Sequence, residues 1–138
     1  MGPMKILALD LGDRWIGVAI SDPLGIIARP YETVEAKKLT RFLQQLFDQE
    51  QIKSVVVGYP KTLRGTESEQ TKKILAQAEA LKQQFTDVDW ILWDERLTSQ
   101  EAERMARQLP GKDKKLVHAR AAAIILRAYL DSLASEHD

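Results

Sequence analysis

A chain of 138 residues with no cysteine, 44% apolar and 29% charged, is long enough for one domain around one core, and it excludes disulfides and thiolate metal sites. Lys and Arg number 20 and Asp and Glu number 20, so any hold on nucleic acid has to come from local clusters rather than from net charge. No apolar run reaches the length of a membrane span and no secretory leader is visible, which gives a cytoplasmic protein without membrane contact as the expectation. Residues 1–3, Met1-Gly2-Pro3, read as a cloning remnant; residues 4–134 form the domain and 135–138 a polar, frayed tail.

Residues 5–10 and 14–21 read as two apolar strands joined by a tight turn. A third, weaker strand is expected around 26–34, with Pro30 marking an edge or a bend. Over 36–49 the apolar residues Leu39, Phe42, Leu43, Leu46 and Phe47 fall on one helical face. Residues 53–58 form a β-branched strand whose almost unbroken apolar character suits burial on both sides. Thr66 and Glu69 have the spacing of a capping box, predicting a helix that runs to about residue 84. A strand follows over 88–93, ending on Asp94-Glu95-Arg96. Thr98 and Glu101 form a second capping box for a helix reaching 108, before Pro110-Gly111. The last helix spans about 115–133 and buries Ala121, Ala122, Ile125, Leu126, Tyr129 and Leu133. Three leading strands on short turns should be antiparallel, and the strands separated by helices should be parallel crossovers. The expected fold is α/β, a five-stranded mixed sheet with helices on both faces.

Asp10 is the residue to explain. It follows four apolar residues in a strand, where a carboxylate costs several kcal/mol unless it is paired or binds a metal. A strand-end turn is the plainer alternative. Glu95 lies just past the last strand, at the same edge as Asp10 if the first strand is central. His118 lies in the first turns of the last helix, on the face of Ala122 and Ile125. Two acids and an imidazole at one sheet edge make a candidate divalent-metal site. One intervening strand would separate Glu95 from Asp10 by roughly 10 Å of backbone, a gap that a long side chain on a projecting loop can close. Asp94 should point the other way, and Glu67, Glu69 and Glu101 serve as helix-terminus acids. Arg14 and Arg96 either pair with the nearby acids or hold phosphate. Lys61, Arg64, Lys72 and Lys73 form one basic cluster, and Lys112, Lys114, Lys115 and Arg120 another; each is a phosphate contact or a solvated face. Trp15, Trp90 and Trp93 follow the strand pattern as packing residues, and Trp15 could also stack on a base.

These residues resemble a known family. Asp10-Leu11-Gly12-Asp13-Arg14-Trp15-Ile16-Gly17-Val18-Ala19, Val56-Val57-Gly58-Tyr59-Pro60, Gly65-Thr66-Glu67, Asp94-Glu95-Arg96-Leu97-Thr98-Ser99 and Ala121-Ala122-Ala123-Ile124-Ile125-Leu126 match, in order, the motifs of the YqgF (RuvX) proteins. The resemblance implies a ribonuclease-H-like fold and nuclease activity with Mg²⁺ or Mn²⁺, on the 5′ end of pre-16S rRNA or on Holliday junctions. It gives Asp10 and Glu95 the roles of catalytic metal ligands. The family's third acid, an Asp ahead of the Ala run, is replaced here by His118, the expected third catalytic and metal-binding residue, which brings no negative charge and tilts the site toward Mn²⁺. Arg14, Arg96, Arg64 and Lys115 are the expected nucleic-acid contacts. The expectation is thus a metal-dependent endonuclease acting as a monomer or weak homodimer. Its rivals are a junction resolvase, which needs a symmetric dimer, a catalytically impaired nucleic-acid-binding module, and a nucleotide-binding ATPase.

Overall fold

The computed structural model describes residues 4–60, 68–98, 104 and 115–136. Along the chain these form β1 (Lys5–Asp10), β2 (Trp15–Ser21), β3 (Ala28–Glu35), a 3-10 turn (Ala36–Lys38), α1 (Leu39–Gln49), β4 (Ile52–Tyr59), α2 (Glu69–Gln84), β5 (Asp89–Asp94), a second 3-10 turn (Glu95–Leu97) and α3 (Lys115–Glu136). The sheet order is β3-β2-β1-β4-β5. β1 is antiparallel to β2, β2 is antiparallel to β3, and β4 runs parallel to both β1 and β5. This is the expected mixed sheet, with β1 at its centre.

Side-chain alternation along β1 assigns the two faces. Leu7, Leu9 and, beyond the strand, Leu11 enter one core with Leu39, Leu43 and Leu46 of α1 and Ile74, Ala78 and Leu81 of α2. Ile6 and Ala8 enter the other core with Ala122, Ala123, Ile125, Leu126 and Leu130 of α3. Leu7 and Leu9 are 0% exposed, a burial that stabilises the fold by about 2 kcal/mol for each side chain. The same alternation brings Asp10 out on the α3 face, at the carboxyl end of β1. α3 lies across β1, β2 and β3. Its alanines let it sit close to the sheet, so Ala119, Ala122, Ala123 and Ala128 are all buried.

Several local expectations shift. β3 begins at Ala28 because Asp22 first organises the loop, accepting from the backbone N–H groups of Leu24, Ile26 and Ile27. Ser68 rather than Thr66 caps α2: its Oγ accepts the Thr71 N–H at 3.1 Å, and the Thr71 hydroxyl donates to the Pro60 carbonyl. Thr66 and Arg64 lie outside the described residues, as does almost all of the helix expected over 98–108. α3 continues to Glu136, into the tail expected to fray.

Candidate active site

Asp10 stands opposite Gly17 in the β1–β2 ladder. On the face above them α3 begins, and the backbone carbonyl of His118 fills the space that a Cβ on Gly17 would need. The bare position at 17 therefore lets the helix come down onto the sheet and brings His118 beside Asp10. Burial raises the Asp10 carboxyl above its ordinary value, and the opposing pull of His118 only partly offsets that.

Glu95 comes from two strands away, with β4 between. Leu9 pairs with Val57, and Gly58 pairs with Trp93, so the residue of β4 beside the end of β1 is again a glycine. A Cβ on Gly58 would stand 3.4 Å from Cγ of Glu95 and would run into the Ile125 side chain. The glutamate thus lies over bare backbone and reaches the field of Asp10. Burial pushes its carboxyl up to about 7, with the negative charges of Asp10 and then Asp94 adding to the shift.

Asp94 is engaged elsewhere. It accepts from the Arg96 backbone N–H at 2.9 Å, from its Nε at 3.0 Å and from its Nη2 at 2.7 Å. This ring fixes the 3-10 turn that carries Glu95 and gives Arg96 an acid partner in Asp94. Arg14 is exposed, with its guanidinium carbon 5.5 Å from the centre of the Trp15 ring. Lys72 pairs with Glu69 at 3.6 Å. Lys115 opens α3.

Of the residues singled out in the sequence, then, the fold brings Asp10, Glu95 and His118 to one sheet edge. Among the described residues no group of three His, Asp or Glu side chains is placed to hold a metal ion. The geometrical unit is the carboxylate pair, with the imidazole beside Asp10 and lining a cleft shared with Trp15. Two half-buried carboxyl groups that resist ionising together are the donor set a hard divalent cation relieves, so the pair fits Mg²⁺ or Mn²⁺. Sequence reasoning missed the spacing roles of Gly17 and Gly58. Their signal was there: isolated glycines inside apolar strands mark close approach of another backbone or side chain.

The profile of the family described as "RuvX: Holliday junction resolvase" matches residues 4–132. Among similar proteins, one from Desulforamulus reducens named "Putative pre-16S rRNA nuclease" is 41% identical over 136 residues, covering 94% of this chain and 98% of that one. One of the same name from Dictyoglomus turgidum is 43% identical over 136 residues, covering 94% and 96%. A solved structure described as Thermus thermophilus RuvC in complex with a Holliday junction substrate superposes with a TM-score of 0.64 at 16% identity, over 95% of this chain and 96% of that one. A second Thermus RuvC structure gives 0.59 at 15% identity, over 96% and 97%. These two share the fold, which is ribonuclease-H-like. With the profile spanning nearly its whole length and relatives this close, the chain belongs to the RuvX (YqgF) family.

Proposed function

We propose that this protein is a metal-dependent endonuclease that hydrolyses phosphodiester bonds, with the 5′ end of pre-16S rRNA as its substrate. The observation that carries the reading is the Asp10–Glu95 pair, held under desolvation at the carboxyl edge of a ribonuclease-H-like sheet. Asp10 and Glu95 would hold Mg²⁺ or Mn²⁺ through their carboxylate oxygens. When bound, the cation supplies Lewis-acid stabilisation of the charge that develops on the phosphodiester. The protein's own part is positional. Asp10 is fixed by the β1–β2 ladder, and Glu95 by the Asp94–Arg96 ring. His118 offers an imidazole beside Asp10 that can carry or pass a proton. Arg14, Arg64 and Lys115 would contact backbone phosphates, which fix position without reading sequence, and Arg96 would add to them only through the guanidinium edge that Asp94 leaves exposed. The relatives' name supports rRNA as the substrate, and a cytoplasmic monomer or weak dimer suits that work. Among the described residues no helix is long and apolar enough to cross a membrane.

The test is a cleavage panel of pre-16S 5′ fragments and four-way DNA junctions, each with Mg²⁺ and with Mn²⁺, against Asp10→Asn. Cleavage of the RNA fragments that disappears in the variant is the expected result. Cleavage that the variant retains rejects the site. Junction cleavage alone moves the substrate to branched DNA, the reading favoured by the family description.

A further inference from the structure

A cleft of about 920 Å³ runs along the edge strand β3, between α1 and the start of α3, and meets the surroundings of Asp10 only at His118. Its size is that of a small-ligand site, about 300–1,000 Å³. Its walls combine aromatic rings from Trp15, Tyr31 and Phe42 with cations from Lys38 and Arg41, and His118 closes the end nearest Asp10. Trp15 and Tyr31 are 36% and 43% exposed, so the aromatic wall is open to solvent rather than consumed by the core. Tyr31 and Phe42 stand at 6.2 Å between ring centres, inclined by 50°. Two acids share the wall, Glu32 and Glu35, and Glu35 is held by Lys37 at 3.5 Å. Rings next to cations are the combination that binds unpaired nucleotides: the rings take base faces and the cations take the backbone.

We propose that this cleft receives an unpaired nucleotide of the substrate strand, its base on the exposed Trp15 ring and its phosphate toward Lys38 and Arg41. The proposal rests on the nuclease reading and narrows it to substrates that carry an unpaired nucleotide. A paired base cannot present its face to Trp15 without leaving its stack.

The experiment measures binding of a labelled single-stranded RNA octamer and of the corresponding blunt RNA duplex, in EDTA so that nothing is cut. Trp15→Ala should weaken octamer binding about tenfold and change duplex binding less than twofold, while Trp15→Phe should restore most of the loss. The double variant Lys38→Gln, Arg41→Gln should make octamer binding less steeply salt-dependent. Thermal melts of each variant separate misfolding from lost contact. Failure of the wild type to bind the octamer, equal losses on octamer and duplex, or unchanged binding in Trp15→Ala overturns the proposal. So does a dimer in sedimentation that Trp15→Ala dissociates while RNA binding stays intact, because the cleft then belongs to a second copy of the chain. Cleavage does not enter these readouts. A protein that binds as described and cuts nothing sinks the nuclease reading alone, and one that cuts while ignoring Trp15 sinks only the cleft.

Discussion

Gly17 and His118 are in backbone contact: the carbonyl of His118 occupies the volume that any side chain at position 17 would claim. Because Gly17 is also the ladder partner of Asp10, one missing Cβ sets both the height of α3 above the sheet and the distance from the imidazole to the carboxylate. Gly17→Ala forces α3 to lift, since backbone cannot rotate away as a side chain can. The expected cost is about 3 kcal/mol, the upper part of the range for overpacking, measured by denaturant unfolding. A change under 0.5 kcal/mol would contradict this account of how the helix is seated.

Gly58 behaves differently, because its neighbours are side chains. A Cβ there meets Ile125 and stands 3.4 Å from Glu95 Cγ, and both can shift. Gly58→Ala is expected to cost only about 1 kcal/mol of stability. Cleavage should fall by less than about threefold, because 3.4 Å from Glu95 Cγ is already ordinary contact and the group that must give way is Ile125. Unfolding curves and single-turnover cleavage on the same preparation test both.

Glu95 makes stability depend on pH in a direction opposite to most carboxylates. Its folded value is about 7 against an ordinary 4.5, so between those values the folded protein keeps a proton that the unfolded chain has lost. Stability contributed at low pH is lost as pH rises through that window. In the absence of divalent cations, Glu95→Gln should therefore stabilise the protein at pH 8 by about 1–2 kcal/mol, after allowance for solvent screening, and have little effect at pH 4. Equal effects at both pH values would remove burial and Asp10 as the cause.

A cation held by the acid pair should stabilise the fold by mass action. At about 100 times its dissociation constant, Mg²⁺ or Mn²⁺ should add about 2.7 kcal/mol, and the gain should vanish in Asp10→Asn. A calorimetric melt with and without the ion, at pH 8 where Glu95 is ionised, measures both.

Asp22 is the counter-case among the acids. Its carboxylate accepts from the Ile26 and Ile27 N–H groups at 2.7 Å each, and these bonds hold its carboxyl below the usual range. Its stabilisation is present above the unfolded value and is lost as pH falls through the lower folded one. Asp22→Ala should cost about 1 kcal/mol at neutral pH and progressively less as pH falls below the ordinary value of 3.8. It should leave RNA binding unchanged, because the β2–β3 loop lies at the end of the sheet away from Asp10.

The order of the described elements, the faces of β1 and α1, and the different surroundings of the neighbours Asp94 and Glu95 could be read from the chain itself. Each rests on short-range regularity: alternation along a strand, helical spacing, and the opposite aim of neighbouring side chains. Its limits show at Ser68, which caps α2 by accepting the Thr71 N–H while the Thr71 hydroxyl is anchored on the Pro60 carbonyl. They show again at Arg96, which nothing local commits to Asp94 until the 3-10 turn forms. A glycine in a sequence says that a side chain is missing, never what takes its room; only the packed structure decides that His118 backbone and the Ile125 side chain occupy those spaces. The charge state of the acid pair and the aromatic cleft that ends at His118 depend on burial and distance through space, between residues that lie far apart along the chain.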